Sequence, residues 1–408
     1  MTEIHSTSWQ APDHPEGQIE SNHFVTAKGD DVIGQLATIR LENGDTLPDL
    51  ARHFSLGLNQ ISAANPGVDI WVPDAGENLL LPLSFTLPDA LRKGIVINLA
   101  AMRLFQFKEE AKSLAVTTYP IGIGSTERPT PMGQMFVERK MALPTWYVPA
   151  SIAADHRKKG DPLPEKVPPG PDNPLGEYAL YLNTPSYLIH GTNKPASIGL
   201  RATNGCIRLY PEDVKQLFEG TAVNTPVSIV DQPYLIGHRD GVVYLEVHPR
   251  LEDSEADGIE KIYARLKSIE KKSALRLDWK KVEKTVAESR GIPVPISVTG
   301  QGGQESEGHA VKIAHPDSLY GRPEIPELKT EGWYVLAAVL PDETSAARLS
   351  AIINHQGPPI PARVLPKKDR YRVIAGPFED AGKAKKAVKR LKIDLELDGI
   401  VIEPSRKK

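Results

Sequence analysis

Proline sets the first limit on how this chain can fold. The 408 residues include 36 prolines, a share of about 9% against a usual ~5%. Because proline fixes φ and removes a backbone donor, long loops and stiff linkers between folded units are expected. Eight prolines and a glycine crowd one stretch from Leu143 to Gly176: Pro144, Pro149, Pro162, Pro164, Pro168, Pro169, Gly170, Pro171 and Pro174. An irregular segment of that length is usually functional or disordered. At roughly 150 residues per domain, the length suggests about three domains.

Charge and composition remove several function classes. A hydrophobic share of 40% and a charged share of 25% are those of globular protein. The net charge of -3 makes no case for nucleic acid, and the basic ending Ser405-Arg406-Lys407-Lys408 reads as a solvated tail. Met1 to Asn22 is polar, unlike an export signal, and the nearest apolar run, Leu79-Leu80-Leu81 before Pro82, is strand-sized. No transmembrane segment is expected, so localisation must follow from function. Cys206 is the one cysteine, which excludes an internal disulfide and multi-cysteine metal sites. The 11 histidines form no compact ligand set. No metal and no cofactor are expected.

Five regions follow from the pattern. Residues 1–35 read as a loose N-terminal arm. Residues 36–83 read as a small α/β module: a strand at Ala37 to Leu41, a turn and helix cap at Gly44-Asp45-Thr46, two short helices, Asn65-Pro66-Gly67, and a strand from Asn78. Residues 94–231 are rich in short β-branched runs, at Gly94 to Leu99, Leu104 to Phe107, Leu114 to Tyr119 and Val227 to Val230. Residues 232–330 read as a β-extension, a charged helix over about 256–289 and a flexible linker from Ser297 to Lys329 containing Gly300 to Gln304. Residues 331–404 repeat strand–helix–strand twice, as in a ferredoxin-like α+β domain.

The chemistry concentrates between His190 and Leu209. His190-Gly191-Thr192-Asn193 is followed by Thr203-Asn204-Gly205-Cys206-Ile207-Arg208-Leu209. A cysteine attacks acyl carbon as thiolate and needs a base or positive charge beside it. His190 lies 16 positions upstream, room for a strand, a loop and a return. Gly205 frees the backbone before Cys206, and N–H groups at Gly205 and Cys206 can form an oxyanion hole. Arg208 shares a strand face with Cys206 and suits a substrate carboxylate. On spacing alone, a small buried apolar cysteine remains the commoner outcome.

Three resemblances add to this reading. Gly-Asp-Thr-Leu at 44–47, Ile61 to Pro66 and Asn78 to Pro82 resemble the LysM family, which implies binding to glycans containing N-acetylglucosamine. Tyr371 to Phe378, with Ala384 and Leu391 behind, resembles the second half of a SPOR domain, which implies binding to peptide-stripped glycan strands. The His190-Gly191 and Thr203 to Arg208 motifs resemble the YkuD-type L,D-transpeptidase family, closest to the subgroup that anchors Braun lipoprotein. That likeness extends over about 94–231 through Gly122-Ile123-Gly124, Thr130 to Gly133, Pro144-Thr145-Trp146 and Gly170 to Gly176. The implied whole is a multidomain protein with a mainly-β catalytic domain between two glycan-binding modules.

Carried onto this sequence, the transpeptidase resemblance implies Cys206 as nucleophile, His190 as its proton partner and Gly191 as the carbonyl that orients that histidine. Gly205 and Cys206 would supply oxyanion donors. Thr203 takes the Ser/Thr position, Arg208 and the 143–176 segment would shape the donor site, and Trp146 and Tyr178 are candidate walls. Asn204 departs from the pattern, standing where many members carry a second histidine; it can hydrogen-bond but takes up no proton near neutrality. The implied reaction forms an acyl-enzyme on a tetrapeptide stem, releases D-alanine and passes the acyl group to an amine. That amine would be a diamino acid side chain, giving a 3–3 crosslink, or an outer-membrane lipoprotein lysine. Water as acceptor would make a carboxypeptidase or endopeptidase, and a peptidoglycan-binding scaffold is the non-enzymatic alternative. An envelope, periplasmic location follows from any of these.

Overall fold

The computed structural model describes residues 22–404 except 28, 111–112, 159, 253, 255–257, 274 and 299–309. The Gly300 to Gln304 run and the basic ending lie outside these residues, as does the arm up to residue 21.

Period-two alternation gives the central sheet two buried faces. Its nine strands run in the order His23–Ala27, Ser113–Pro120, Arg103–Glu109, Gly94–Asn98, Pro226–Val230, Gly133–Ala142, Tyr178–Leu182, Leu188–His190 and Ile207–Arg208. On one face Ile95, Ile97, Leu104, Val227 and Ile229 pack with Val214 and Leu217 of the helix Pro211–Gly220. Their neighbours Val96, Phe105, Phe107, Leu114 and Val116 face the other way, into a core shared with Leu47, Leu50, Leu56, Ile61, Leu79 and Leu81. Successive side chains on a strand point to opposite faces, so one short run feeds both layers.

That second layer is the 36–83 region, with strands Ala37–Arg40 and Asn78–Leu81 around helices Leu47–His53 and Leu58–Ala64. Thr46 caps the first helix, accepting from the Asp49 N–H at 3.2 Å. The region is joined to the sheet by more than apolar contact. Arg103, fully buried, donates to Thr118 Oγ1 at 3.2 Å and to the Ser55 carbonyl and Gln60 Oε1, both at 2.8 Å. Arg52 forms a two-armed pair with Glu212 at 2.8 and 2.9 Å. Gly199, at φ +86°, comes so close to Leu58 that a Cβ there would lie 2.4 Å from the Leu58 nitrogen.

The structure differs from the sequence reading at three connections. His23–Ala27 and Val32–Gly34, within the stretch read as a loose arm, are strands; the first pairs antiparallel with Ser113–Pro120 along the sheet edge. His23-Phe24-Val25-Thr26-Ala27 buries one large side chain, Phe24, too little apolar period to register without its partner. The linker reading fails over 311–322. There Val311–Lys312 pairs parallel with Ala37–Arg40, Leu319 is buried and His315 Nε2 lies 3.1 Å from Asp45 Oδ2. The 143–176 segment is not wholly irregular either. It holds the partly exposed helix Ala150–Lys158 and a short ladder between Trp146–Tyr147 and Lys166–Val167.

Two further cores complete the chain. The hairpin Tyr234–Arg239 and Val242–Val247 packs with helices Ile259–Ser273 and Trp279–Glu288, so the charged helical stretch is broken in two, the second part capped by Asp278. At the C-terminal end, helices Glu343–Asn354 and Ala381–Leu395 pack against an antiparallel sheet ordered Ala362–Lys367, Arg370–Phe378, Trp333–Leu340, Ile400–Ile402. This unit has its own core, and its contacts with the rest include three polar pairs and one ring contact. Arg348 pairs with Asp69 at 2.6 Å, His355 Nε2 with Asp49 at 3.0 Å and Lys389 with Asp161 at 2.9 Å. The His355 ring lies 5.3 Å from that of Trp71.

Candidate active site

The last two strands of the sheet bring the motif residues together. Leu188–His190 and Ile207–Arg208 run parallel, with Ile189 opposite Ile207 and His190 opposite Arg208. Ile189 and Ile207 are buried in the core, so His190 and Arg208 share the other face, and Cys206, two residues before Arg208, shares it too. In that register Cys206 falls opposite Leu188, diagonal to His190, and the Arg208 charge acts on both.

The turn ahead of the thiol is held by one hydroxyl. Thr203 Oγ1 accepts from the Gly205 N–H at 3.2 Å and donates to the Cys206 carbonyl at 2.7 Å. Gly205 has φ +100°, where only glycine sits without strain, and a Cβ there would lie 2.7 Å from the Tyr187 ring. This corrects one expectation. The Gly205 N–H is engaged by Thr203 and does not face an incoming oxygen, so of the two assigned oxyanion donors Cys206 N–H remains.

Burial sets the protonation states. Cys206 is half-buried, and its Sγ lies 3.5 Å from the Ser186 carbonyl. Burial pushes its thiol pKa up, against smaller downward pulls from the Leu188 backbone and the Arg208 charge. His190 is 4% exposed, with Nδ1 2.6 Å from the Gly191 carbonyl. Burial first, then the Arg208 charge, pushes its pKa down to about 3, while the Gly191 and Leu175 carbonyls act the other way. Arg208, itself lowered to about 10 by burial, donates to Ser197 Oγ at 2.8 Å. The resting site is therefore a neutral thiol and a neutral imidazole beside a buried cation.

The remaining candidates divide. Asn204 Oδ1 accepts from Arg128 Nη1 at 2.5 Å. Trp146 lies half-buried in the short ladder of the proline-rich segment, opposite Val167. Tyr178 is no wall of the site: its ring packs 4.9 Å from that of Phe218, and its carbonyl accepts from the Gly191 N–H at 3.2 Å. Sequence reasoning gave no role to three residues that build the site. The Asn173 amide, fully buried, donates to the Pro144 carbonyl at 2.8 Å, and its Oδ1 accepts from the Leu175 N–H at 2.9 Å. It thereby ties the two ends of the segment together, and the Leu175 carbonyl that follows faces His190. Ser186 and Tyr187 form the loop over the thiol; a serine at φ +71° leaves no signal in its residue type.

Comparison with known proteins fits this arrangement. The YkuD model, described as the L,D-transpeptidase catalytic domain, matches residues 92–229, and the SPOR domain model matches 329–403. "Probable L,D-transpeptidase ErfK/SrfK" of Escherichia coli (strain K12) is 41% identical over 234 residues, covering 56% of this chain and 74% of that protein. "Probable L,D-transpeptidase YbiS" of the same strain is 44% identical over 232 residues, covering 56% and 75%. "Probable L,D-transpeptidase YcfS" is 37% identical over 276 residues, covering 66% and 86%. A shared catalytic domain at this identity, over three quarters or so of the relatives' own length, places the chain in the L,D-transpeptidase family.

Proposed function

We propose that this chain transfers the acyl group of a peptidoglycan tetrapeptide stem to an amine through a thioester on Cys206. The observation that carries the reading is the shared face of Cys206, His190 and Arg208 on two paired strands, with the Asn173-tied segment beside it. As the Cys206 sulfur attacks the carbonyl before the terminal D-alanine, its proton passes to His190. The Nδ1–H donated to Gly191 fixes the tautomer whose other nitrogen accepts that proton. The C–S bond forms, the C–N bond breaks, and His190 returns the proton to the departing D-alanine amine. An acceptor amine then attacks the thioester, giving its proton to His190, and the thiolate leaves and is reprotonated. Arg208 supports the reaction by stabilising negative charge on sulfur.

The flanking regions support a substrate held on the wall. The SPOR domain fits glycan binding, its strand order supports the ferredoxin-like reading, and the strand–helix–helix–strand order of 36–83 supports the LysM reading. Both point to an envelope location, and no described helix is long and apolar enough to cross a membrane. Incubation with a disaccharide-tetrapeptide, followed by intact-mass measurement, tests the chemistry. Expected are D-alanine release and an acyl adduct on Cys206; with a second stem or a lipoprotein lysine peptide, the product joins the two. Tripeptide alone would assign water as acceptor, and neither adduct nor release would favour the scaffold.

Deleting 331–408 is expected to leave turnover of the soluble substrate within about twofold, because the unit has a core of its own and its described polar contacts with the rest do not reach Cys206, His190 or Arg208. Retention on sacculi should fall sharply, since a second glycan-binding unit raises local concentration without touching the chemical step. Pelleting with purified sacculi measures it.

A further inference from the structure

Arg128 lies outside the motif yet touches both sides of the site. Its Nη1 donates to Asn204 Oδ1 at 2.5 Å, and its Nη2 donates to Asp155 Oδ2 at 2.6 Å. Asn204 belongs to the turn that presents Cys206. Asp155 belongs to Ala150–Lys158, the helix within the proline-rich segment. One guanidinium thus joins the thiol's turn to the segment beside it.

That helix has little else to fix it. None of its residues is buried, and nine residues are too few for a helix to be stable on its own. Its other polar ties are local or distant from the thiol: Lys158 to Asp155 at 4.0 Å, and His156 to Asp161 at 3.5 Å, with Asp161 held in turn by Lys389. Only a planar fork reaches two acceptors on different elements at once, which an ammonium on a flexible stem does not reproduce. The partner also has to remain an acceptor. An asparagine amide oxygen does so at any pH, whereas a histidine there would compete with the guanidinium once protonated.

We propose that Arg128 is a positioning residue that latches the 143–176 segment onto the Asn204 turn, with the Asn204 amide oxygen as the acceptor on that side. The kinetic consequence rests on the acyl-transfer reading: with the segment in place, the stem peptide is held along it, so the latch governs substrate binding more than the reactivity of the thiol.

The test uses the full chain carrying Arg128→Met, Arg128→Lys or Asp155→Asn. Amide hydrogen exchange over 150–158 is expected to rise about threefold to fivefold in Arg128→Met and Asp155→Asn, the scale of a partly exposed ion pair, with the central sheet unchanged. KM for the disaccharide-tetrapeptide should rise about fivefold with kcat within about twofold. Alkylation of Cys206 by iodoacetamide should stay within about twofold. Arg128→Lys should recover little of either effect. Unchanged exchange over 150–158 would overturn the latch, and so would a fall in alkylation parallel to the fall in turnover, which would place Arg128 at the thiol. If the unaltered chain releases no D-alanine, the acyl-transfer reading fails and the exchange measurement alone decides the latch.

Discussion

Cys206→Ala is expected to reduce D-alanine release from a disaccharide-tetrapeptide by at least about 10⁴-fold, and His190→Ala to reduce it nearly as far, with the double variant no worse than either. The reason is that the two groups act as one unit. A thiol whose pKa burial has raised is a poor nucleophile until its proton has somewhere to go. The only imidazole in the motif is His190, held neutral by its own burial and by Arg208. Additive losses, or a His190→Ala chain that still turns over, would show that the proton leaves by another route. Because the resting pair is neutral, iodoacetamide alkylation of Cys206 should rise steadily with pH through and beyond the ordinary thiol range, with no plateau near neutrality.

The same burial predicts how stability depends on pH. An unfolded histidine titrates near ~6.5, whereas folded His190 resists protonation down to about 3. Between those values the unfolded chain binds a proton that the folded chain refuses. Stability is therefore full above the unfolded pKa and falls as pH drops, by up to about 1.4 kcal/mol per unit of pH from this one group. His190→Gln should flatten that part of the curve. Urea midpoints at pH 7 and pH 4.5, compared between the two chains, measure the difference.

What the sequence revealed depended on whether the signal was local. Gly94-Ile95-Val96-Ile97-Asn98 and Leu104-Phe105-Gln106-Phe107 carry their strand character in residue type, and both lie in the sheet. Cys206, His190 and Arg208 were legible through the His190-Gly191 and Thr203 to Arg208 motifs and their family resemblance, whereas spacing alone favoured a buried apolar cysteine; the parallel ladder that sets them on one face came from the structure. Asn173, Ser186 and Arg128 were not, because their roles come from contacts with distant carbonyls and side chains, such as Asn173 to Pro144 and Arg128 to Asp155. The strand His23–Ala27 and the docked stretch near Val311 were missed for a related reason. Each borrows its hydrogen bonds from an edge strand far away in sequence, Ser113–Pro120 and Ala37–Arg40.

That borrowing leads to the second large effect. A chain lacking residues 22–87 is expected not to fold, although the 36–83 region read from sequence is a separable module and the family model for the catalytic domain matches only from residue 92. Val96, Phe105, Phe107, Leu114 and Val116 sit in the core that includes Leu50, Leu56, Ile61 and Leu79. At roughly 1.5–3 kcal/mol for each large side chain returned to water, five such residues account for about 10 kcal/mol. A domain's whole stability is only about 5–15 kcal/mol. Arg103 lies on the same face as Phe105 and Phe107, and its hydrogen bonds to Ser55 and Gln60 leave with the deleted segment. Circular dichroism and soluble yield of the truncated chain, beside the chain lacking 331–408, measure the contrast. A soluble, cooperatively unfolding chain without residues 22–87 would mean that the sheet can close that face by itself and that the shared core is an interface between separable domains.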